Sequence, residues 1–257
     1  MPGTGCDRLP AALLWDVDGT LVETELQGHR LAFNRAFAEA GLAWHWDSAT
    51  YRRLLAISGG QERMAHYARV LEGQEPDPGR IAALQRAKQG YYRQLVQAGE
   101  LQLRPGVARL MAQAAEAGLV QAIVTTSGRE AVEALLNQLL PERLPQLALR
   151  VCGEDVARKK PDPQAYRRAL ELLTLAPGEV LAIEDSPQGL AAAAGAGIAT
   201  LVTQSLATAE QPLVSFAGAA ALVSHLGEPS DPALVLHGPP CPGGLISLGY
   251  LHQLLQP

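Results

Sequence analysis

The chain reads as an α/β protein: a Rossmann-like, doubly wound parallel sheet core with an inserted helical cap domain. Three observations predict this. Short apolar runs, each closing on polar or acidic residues, alternate with helix-patterned segments, the order expected of parallel strands joined by helical crossovers. The first two runs are separated by far more chain than a crossover needs, and that stretch is helical in pattern throughout. With 257 residues, 47% of them hydrophobic, the chain can build one large core plus an insert.

The apolar runs are "AALLWDV" from Ala11, "VQAIVTTS" from Val120, "LALRVCGED" from Leu147, "VLAIEDS" from Val180 and "ATLVTQS" from Ala199. Helical segments are predicted at 106–118, 128–139, 163–173 and 187–196. Asp162 and Ser186 stand as N-caps, with Pro163 and Pro187 at the first helical position. In the insert, Phe33, Ala36, Phe37 and Ala40 recur at the spacing of one helix face. Asp77–Pro78 opens another helix. The predicted division is a core of 1–25 and 104–227, a cap of 26–103, and a C-terminal appendage of 228–257. Hinges fall near Glu25–Gln27 and Leu103–Gly106. The appendage is rich in Pro and Gly, is expected to pack on the core, and has no chemistry assigned to it.

Composition narrows the partners. A formal charge of −5 gives no reason to expect nucleic acid or an anionic membrane. No run approaches the roughly 20 apolar residues of a membrane helix. The first residues lack the basic and cleavage-site pattern of a signal peptide. Cys6, Cys152 and Cys241 are far apart, without a CxxC pair, which fits a reducing compartment rather than a disulfide framework. A cytoplasmic, monomeric protein acting on a small molecule is the expectation.

In open α/β sheets the site lies beyond the carboxyl ends of the strands, and the chemistry-bearing residues collect there. Asp16 follows the first apolar run directly, where a carboxylate can attack phosphorus and divide hydrolysis into two steps. Asp18, two residues on, projects to the same side and can protonate a leaving oxygen, then activate water. Gly19 permits a sharp turn, and Thr20 can bond to it. Taken alone, the same five residues also make an ordinary capped turn. Thr125, Ser127 and Gly128 close the second run at a helix N-terminus, which favours phosphate, though Ser and Thr are also common N-caps. Lys160, before Pro161, can neutralise phosphoryl oxygens and Asp16, or simply form a solvated pair with Lys159. Glu184 and Asp185 close the fourth run. Buried acids there call for a cation, and carboxylates with phosphate oxygens suit Mg²⁺; a helix N-terminus that tolerates negative charge is the plainer alternative.

The ordered series "DVDGT", "VTTS", "KKPDP" and "IEDS" resembles the four motifs of the haloacid dehalogenase-like superfamily. The cap segments "DGTLVETELQGHRLAFNRAFAEAGLAWHWD" and "YRRLLAISGGQERMAHY", with "VARKKPDPQAYRRALELL" of the core, resemble the CbbY group of sugar phosphatases, over nearly the whole chain to about residue 227. The resemblance implies a sugar bisphosphate substrate, xylulose-1,5-bisphosphate, an inhibitor of Rubisco, being the best-known case. It implies Asp16 as nucleophile and Asp18 as general acid/base. Mg²⁺ would be held by Asp16, the Asp18 carbonyl and Asp185, with Glu184 near. Thr125, Thr126, Ser127 and Lys160 would hold the transferring phosphate.

The resemblance also places Glu25 and His29 at the entrance to the cap, and Ser58, Gly59, Gly60, Gln61, Glu62 and Arg63 in a substrate loop. Arg63 would clamp the second phosphate. Lys88 matches the family pattern, whereas Gln85 stands where the family usually carries His. A sugar phosphomutase such as β-phosphoglucomutase, a phosphoglycolate phosphatase, or a silent sugar-phosphate sensor would share much of this pattern. A dehalogenase is disfavoured by the second aspartate at position 18.

Overall fold

The computed structural model describes residues 9–256; Cys6, the signal-peptide reading and residues 1–8 of the predicted core lie outside that range. Seven strands form one sheet in the order β3-β2-β1-β4-β5-β6-β7. They are β1 Ala12–Trp15, β2 Val120–Val124, β3 Leu147–Val151, β4 Val180–Glu184, β5 Ala199–Thr203, β6 Ala221–Val223 and β7 Val235–His237. The first five correspond to the five apolar runs. All pairings are parallel except β6 with β7.

Both faces of the sheet are covered, as apolar runs without polar alternation require. On one face Leu13, Trp15, Ile123, Leu181 and Ile183 join one core cluster. On the other, Ala12, Leu14, Ala122, Val124 and Ala182 join a second. This is the two-residue period of a strand. The indole of buried Trp15 donates to Gln121 Oε1 at 3.1 Å, and Gln121 Nε2 donates to the Met111 carbonyl, so these buried polar groups are paired.

The crossover helices are α5 Val107–Glu116, α6 Arg129–Leu139, α7 Gln164–Leu173 and α8 Pro187–Gly195, within two residues of the predicted spans. Ser186 caps α8 as expected, accepting from Gly189 N at 3.1 Å. The α7 start differs slightly. Asp162 accepts from Gln164 N, but Pro163 is the flanking residue and the helix begins after it.

Between β1 and α5 lie a π-helical turn at Glu25–His29 and four helices: α1 Arg30–Glu39, α2 Ser48–Leu54, α3 Gly60–Glu72 and α4 Pro78–Gln97. Asp77 caps α4 through bonds to Gly79 N and Arg80 N. Phe33, Phe37, Trp44, Trp46, Tyr51 and Met64 of the insert form an apolar cluster of their own, while Ala32, Tyr92, Leu95 and Val96 join the sheet's main cluster. The α1 face is shorter than predicted. Phe33, Ala36 and Phe37 are buried, but Ala40 is exposed and lies past the helix end. A chain break in periodicity at Gly41, whose φ is +69°, accounts for this.

The tail is woven into the fold more closely than the term appendage suggests. β7 adds an antiparallel edge strand next to β6. A last helix, α9 Leu248–Gln253, places Tyr250 and Leu251 in the same cluster as Leu110 and Met111 of α5. Strands of three residues are too short to show a sequence period.

Candidate active site

The parallel register assembles the site. Trp15 pairs with Ile123 on one side and Ile183 on the other, so one residue further Asp16 stands beside the ends of β2 and β4. Asp16 N donates to the Ile183 carbonyl at 3.0 Å. This is the point where strand order reverses direction, the usual crevice of a doubly wound sheet.

Lys160 is the cation of this crevice. Its Nζ lies 2.8 Å from Asp16 Oδ1, 2.5 Å from Glu184 Oε1 and 2.8 Å from the Val124 carbonyl, and the residue is 4% exposed. Burial works against its charge, but Asp16 and Glu184 hold its pKa well above the ordinary lysine value. Tyr166 donates to the same Glu184 oxygen at 2.5 Å. Asp185 accepts from Ser205 Oγ at 2.6 Å.

Asp16, Glu184 and Asp185 are buried together with ligand oxygens within 4.8 Å of one another. Burial and then the charge of Glu184, against Lys160, push Asp16 up to about 8. Burial and the neighbouring acids push Asp185 well above the usual range. Lys160 contacts Asp16 and Glu184 but not Asp185, so the three carboxylates keep negative charge that burial penalises. An all-oxygen donor set of this kind fits a hard divalent cation. Glu184 is fully buried and already holds Lys160 and Tyr166, so Asp16 and Asp185 are the acids of the set that line the cavity.

Asp18 belongs to a different network. Its carboxylate accepts from Thr24 Oγ1 and Ser127 Oγ and lies 2.8 Å from His29 Nε2. Burial opposes its ionisation, yet His29, Ser127 and Thr24 offset this and hold its pKa well below the carboxylate range. His29 Nδ1 is 3.0 Å from Lys88 Nζ. The Lys88 ammonium lies over the rings of Phe33 and Tyr92, and burial lowers its pKa to about 8. The predicted turn is present, with Gly19 at φ +86°. Thr20 contributes only its backbone to it: Thr20 N donates to Val17 O, while Oγ1 is buried without a partner.

Two adjoining cavities of about 190 and 250 Å³ open between the insert and the strand ends, sharing Glu25, Arg63 and Thr126. The smaller is lined by Asp16, Asp18, Ser58, Lys160 and Asp185. The larger is lined by His29, Gly59, Gly60, Gln61, Glu62, Lys88 and Ser127. Thr125 lies outside both; it is buried, and its hydroxyl accepts from Ser127 N at 3.1 Å.

Arg63 borders both cavities, but much of its guanidinium is committed. Nε donates to Leu54 O, Nη2 to Ile57 O and Nη1 to the Tyr51 hydroxyl. Tyr51 in turn donates to Glu25 at 2.5 Å. Gln85 faces the larger cavity with a buried Oε1 that lacks a partner. Sequence reasoning missed Thr24, Tyr166, Ser205 and the cationic Arg52 and Arg53 of the smaller cavity. Only for Thr24, six residues from Asp18, was there a local signal.

Two carboxylates two residues apart, a buried lysine and an acid set that fits a metal meet at one switch point, an arrangement suited to chemistry on phosphate esters. The family model for the haloacid dehalogenase-like hydrolases matches residues 10–197. The chain belongs to this family, and in class it is a phosphoric monoester hydrolase. It is 45% identical to protein CbbY (plasmid) of Cupriavidus necator over 226 residues, 86% of this chain and 87% of that one. Crystalline CbbY of Rhodobacter sphaeroides in complex with phosphate is similar with a TM-score of 0.77 at 42% identity, covering 84% of this chain and 95% of that one. A mutant of that protein in complex with xylulose-(1,5)bisphosphate has a TM-score of 0.78 at 41% identity, covering 86% and 96%. Among the described residues, no helix is long and apolar enough to cross a membrane.

Proposed function

We propose that the protein is a Mg²⁺-dependent phosphatase of a sugar bisphosphate, xylulose-1,5-bisphosphate foremost, working through an aspartyl-phosphate on Asp16. The observation that carries this is the pair of joined polar cavities over Asp16, room for a substrate charged at both ends. The bisphosphate bound by the similar CbbY supports it.

Asp16, the Asp18 carbonyl and Asp185 would hold Mg²⁺, which when bound neutralises charge on the phosphoryl oxygens. Residues 26–103 act as the cap. Ion pairs Arg52–Glu210 at 2.9 Å and Glu62–Lys159 at 2.7 Å join it to the core. Such partly exposed pairs contribute only about 0–1 kcal/mol each, whereas Tyr92, Leu95 and Val96 of α4 are buried in the sheet's apolar cluster and hold the base of the insert to the core.

Lys160 and Ser127 orient the transferring phosphate. An Asp16 oxygen attacks phosphorus as the ester bond breaks, and Asp18 gives its proton to the departing sugar oxygen. Asp18 must therefore gain a proton first. A bound phosphate supplies the means: its negative charge, and Ser127 turning from Asp18 to a phosphoryl oxygen, both raise the Asp18 pKa. Asp18 then takes a proton from water, which displaces Asp16 from phosphorus and releases orthophosphate. Glu25, His29, Lys88, Gly59, Gly60 and the free edge of Arg63 face the remainder of the substrate, with the unpartnered Gln85 oxygen available to a sugar hydroxyl.

Phosphate release with Mg²⁺ across xylulose-1,5-bisphosphate, ribulose-1,5-bisphosphate, phosphoglycolate and β-glucose-1-phosphate tests this. Preference for the first is expected. Strong preference for phosphoglycolate overturns the substrate assignment, and an isomerised sugar phosphate in place of free phosphate makes the enzyme a mutase. Undiminished turnover in Asp16→Asn overturns the mechanism.

A further inference from the structure

Arg104 lies in the second linker between insert and core, outside every motif considered so far, and the residue is 7% exposed. Its guanidinium reaches five separate places. Nη1 donates to the Gly19 carbonyl and to Thr203 Oγ1 at 2.8 Å. Nη2 donates to Gln204 O at 2.7 Å and Ser224 O at 2.9 Å. Nε lies 3.0 Å from Glu23 Oε1. Glu23 belongs to the first linker, and its carboxylate also accepts from Leu206 N. The main chain makes the same connection: Arg104 N donates to Leu21 O at 2.8 Å, and Leu103 bridges Val22. The second linker therefore grips the Asp16–Val22 loop by both backbone and side chain, one peptide from Asp18.

We propose that Arg104 is a positioning residue for Asp18: by holding the Gly19 carbonyl against the ends of β5 and β6, and Glu23 against the other linker, it sets the acid/base carboxyl relative to Asp16 when the cap is closed. The planar fork of Arg can satisfy several carbonyls at once, which a lysine ammonium cannot. The inference rests on the phosphatase reading above, in which Asp18 protonates the leaving oxygen.

The leaving group distinguishes positioning from mere support. A sugar alkoxide needs Asp18's proton to depart, whereas p-nitrophenolate departs without one. Because kcat/KM reports steps through formation of the aspartyl-phosphate, displacement of Asp18 lowers it selectively for the alkyl ester. The experiment compares kcat/KM of wild type and Arg104→Lys on p-nitrophenyl phosphate and on whichever of the four alkyl phosphates above wild type turns over fastest. Folding is checked by circular dichroism.

The expected result is a loss of about tenfold or more on the alkyl ester against less than about threefold on the aryl ester. Equal losses on both, or none on either, overturn the inference while leaving the phosphatase reading intact. Wild type that releases phosphate from neither substrate overturns both. If Arg104→Lys does not fold, Glu23→Gln removes the charge that orients the guanidinium while keeping its shape. A selective alkyl-ester loss of about threefold is then expected, and an unselective or absent loss overturns the inference.

Discussion

The Lys88 ammonium of α4 stands 3.0 Å from Nδ1 of His29. An ammonium can only donate, so Nδ1 accepts and the ring proton sits on Nε2, facing Asp18 at 2.8 Å. A residue of the insert thereby sets the tautomer that faces the Asp18 carboxylate.

This relationship makes a pH prediction. Lys88 titrates at about 8 in the folded protein, against an ordinary value of 10.5. Below about 8 both folded and unfolded chains hold the proton, and its effect on stability is constant. Between about 8 and 10.5 the unfolded chain binds more protons, so stability from this group rises with pH. The Tm of wild type minus that of Lys88→Met should increase across that window. Over the same window kcat/KM for a bisphosphate should fall in wild type as the positive charge is lost, and Lys88→Met should lack that alkaline limb.

Lys160 is the cation balancing Asp16 and Glu184. Lys160→Met should cost about 3–5 kcal/mol, because buried charges lose their partner, and should abolish phosphate release. Added Mg²⁺ should recover part of the lost Tm. In wild type, EDTA should stop turnover and lower Tm, and Asp185→Asn should remove the Mg²⁺ response of Tm.

Tyr166, itself fully buried, donates to the Glu184 oxygen that also takes Lys160. Tyr166→Phe should lower stability by about 1–2 kcal/mol in denaturant unfolding, the worth of a hydrogen bond to a charged group. Turnover should fall less than about tenfold, because Lys160 still anchors Glu184.

Gly19 combines φ +86° with a position where a Cβ would enter the Asp185 carboxylate. Gly19→Ala should cost more than about 1 kcal/mol in backbone strain. It should also raise the Mg²⁺ concentration needed for half-maximal activity, since Asp185 must move.

The sequence by itself determined the five long parallel strands and the place of Asp16 at the end of the first. Leu13, Leu14 and Trp15 are buried because an unbroken apolar run has nowhere to lie except between two covered faces, and Asp16 is then forced to the strand end. The same local logic located Glu184 and Asp185, whereas Lys160, nine residues past the end of β3, was singled out by the resemblance of the ordered motifs. Ser186 and Asp77 marked helix starts because capping depends on neighbours two or three residues away.

Tertiary structure decided what depends on distant partners. Tyr166 reaches Glu184 across 18 residues, Ser205 reaches Asp185 across 20, and Arg104 spans 85 residues to Gly19. No period or spacing encodes such contacts. Packing also decided which donors are free. Arg63 is spent largely on Leu54, Ile57 and Tyr51, and Thr125 on Ser127, because a buried donor or acceptor must be satisfied by whatever the fold brings beside it.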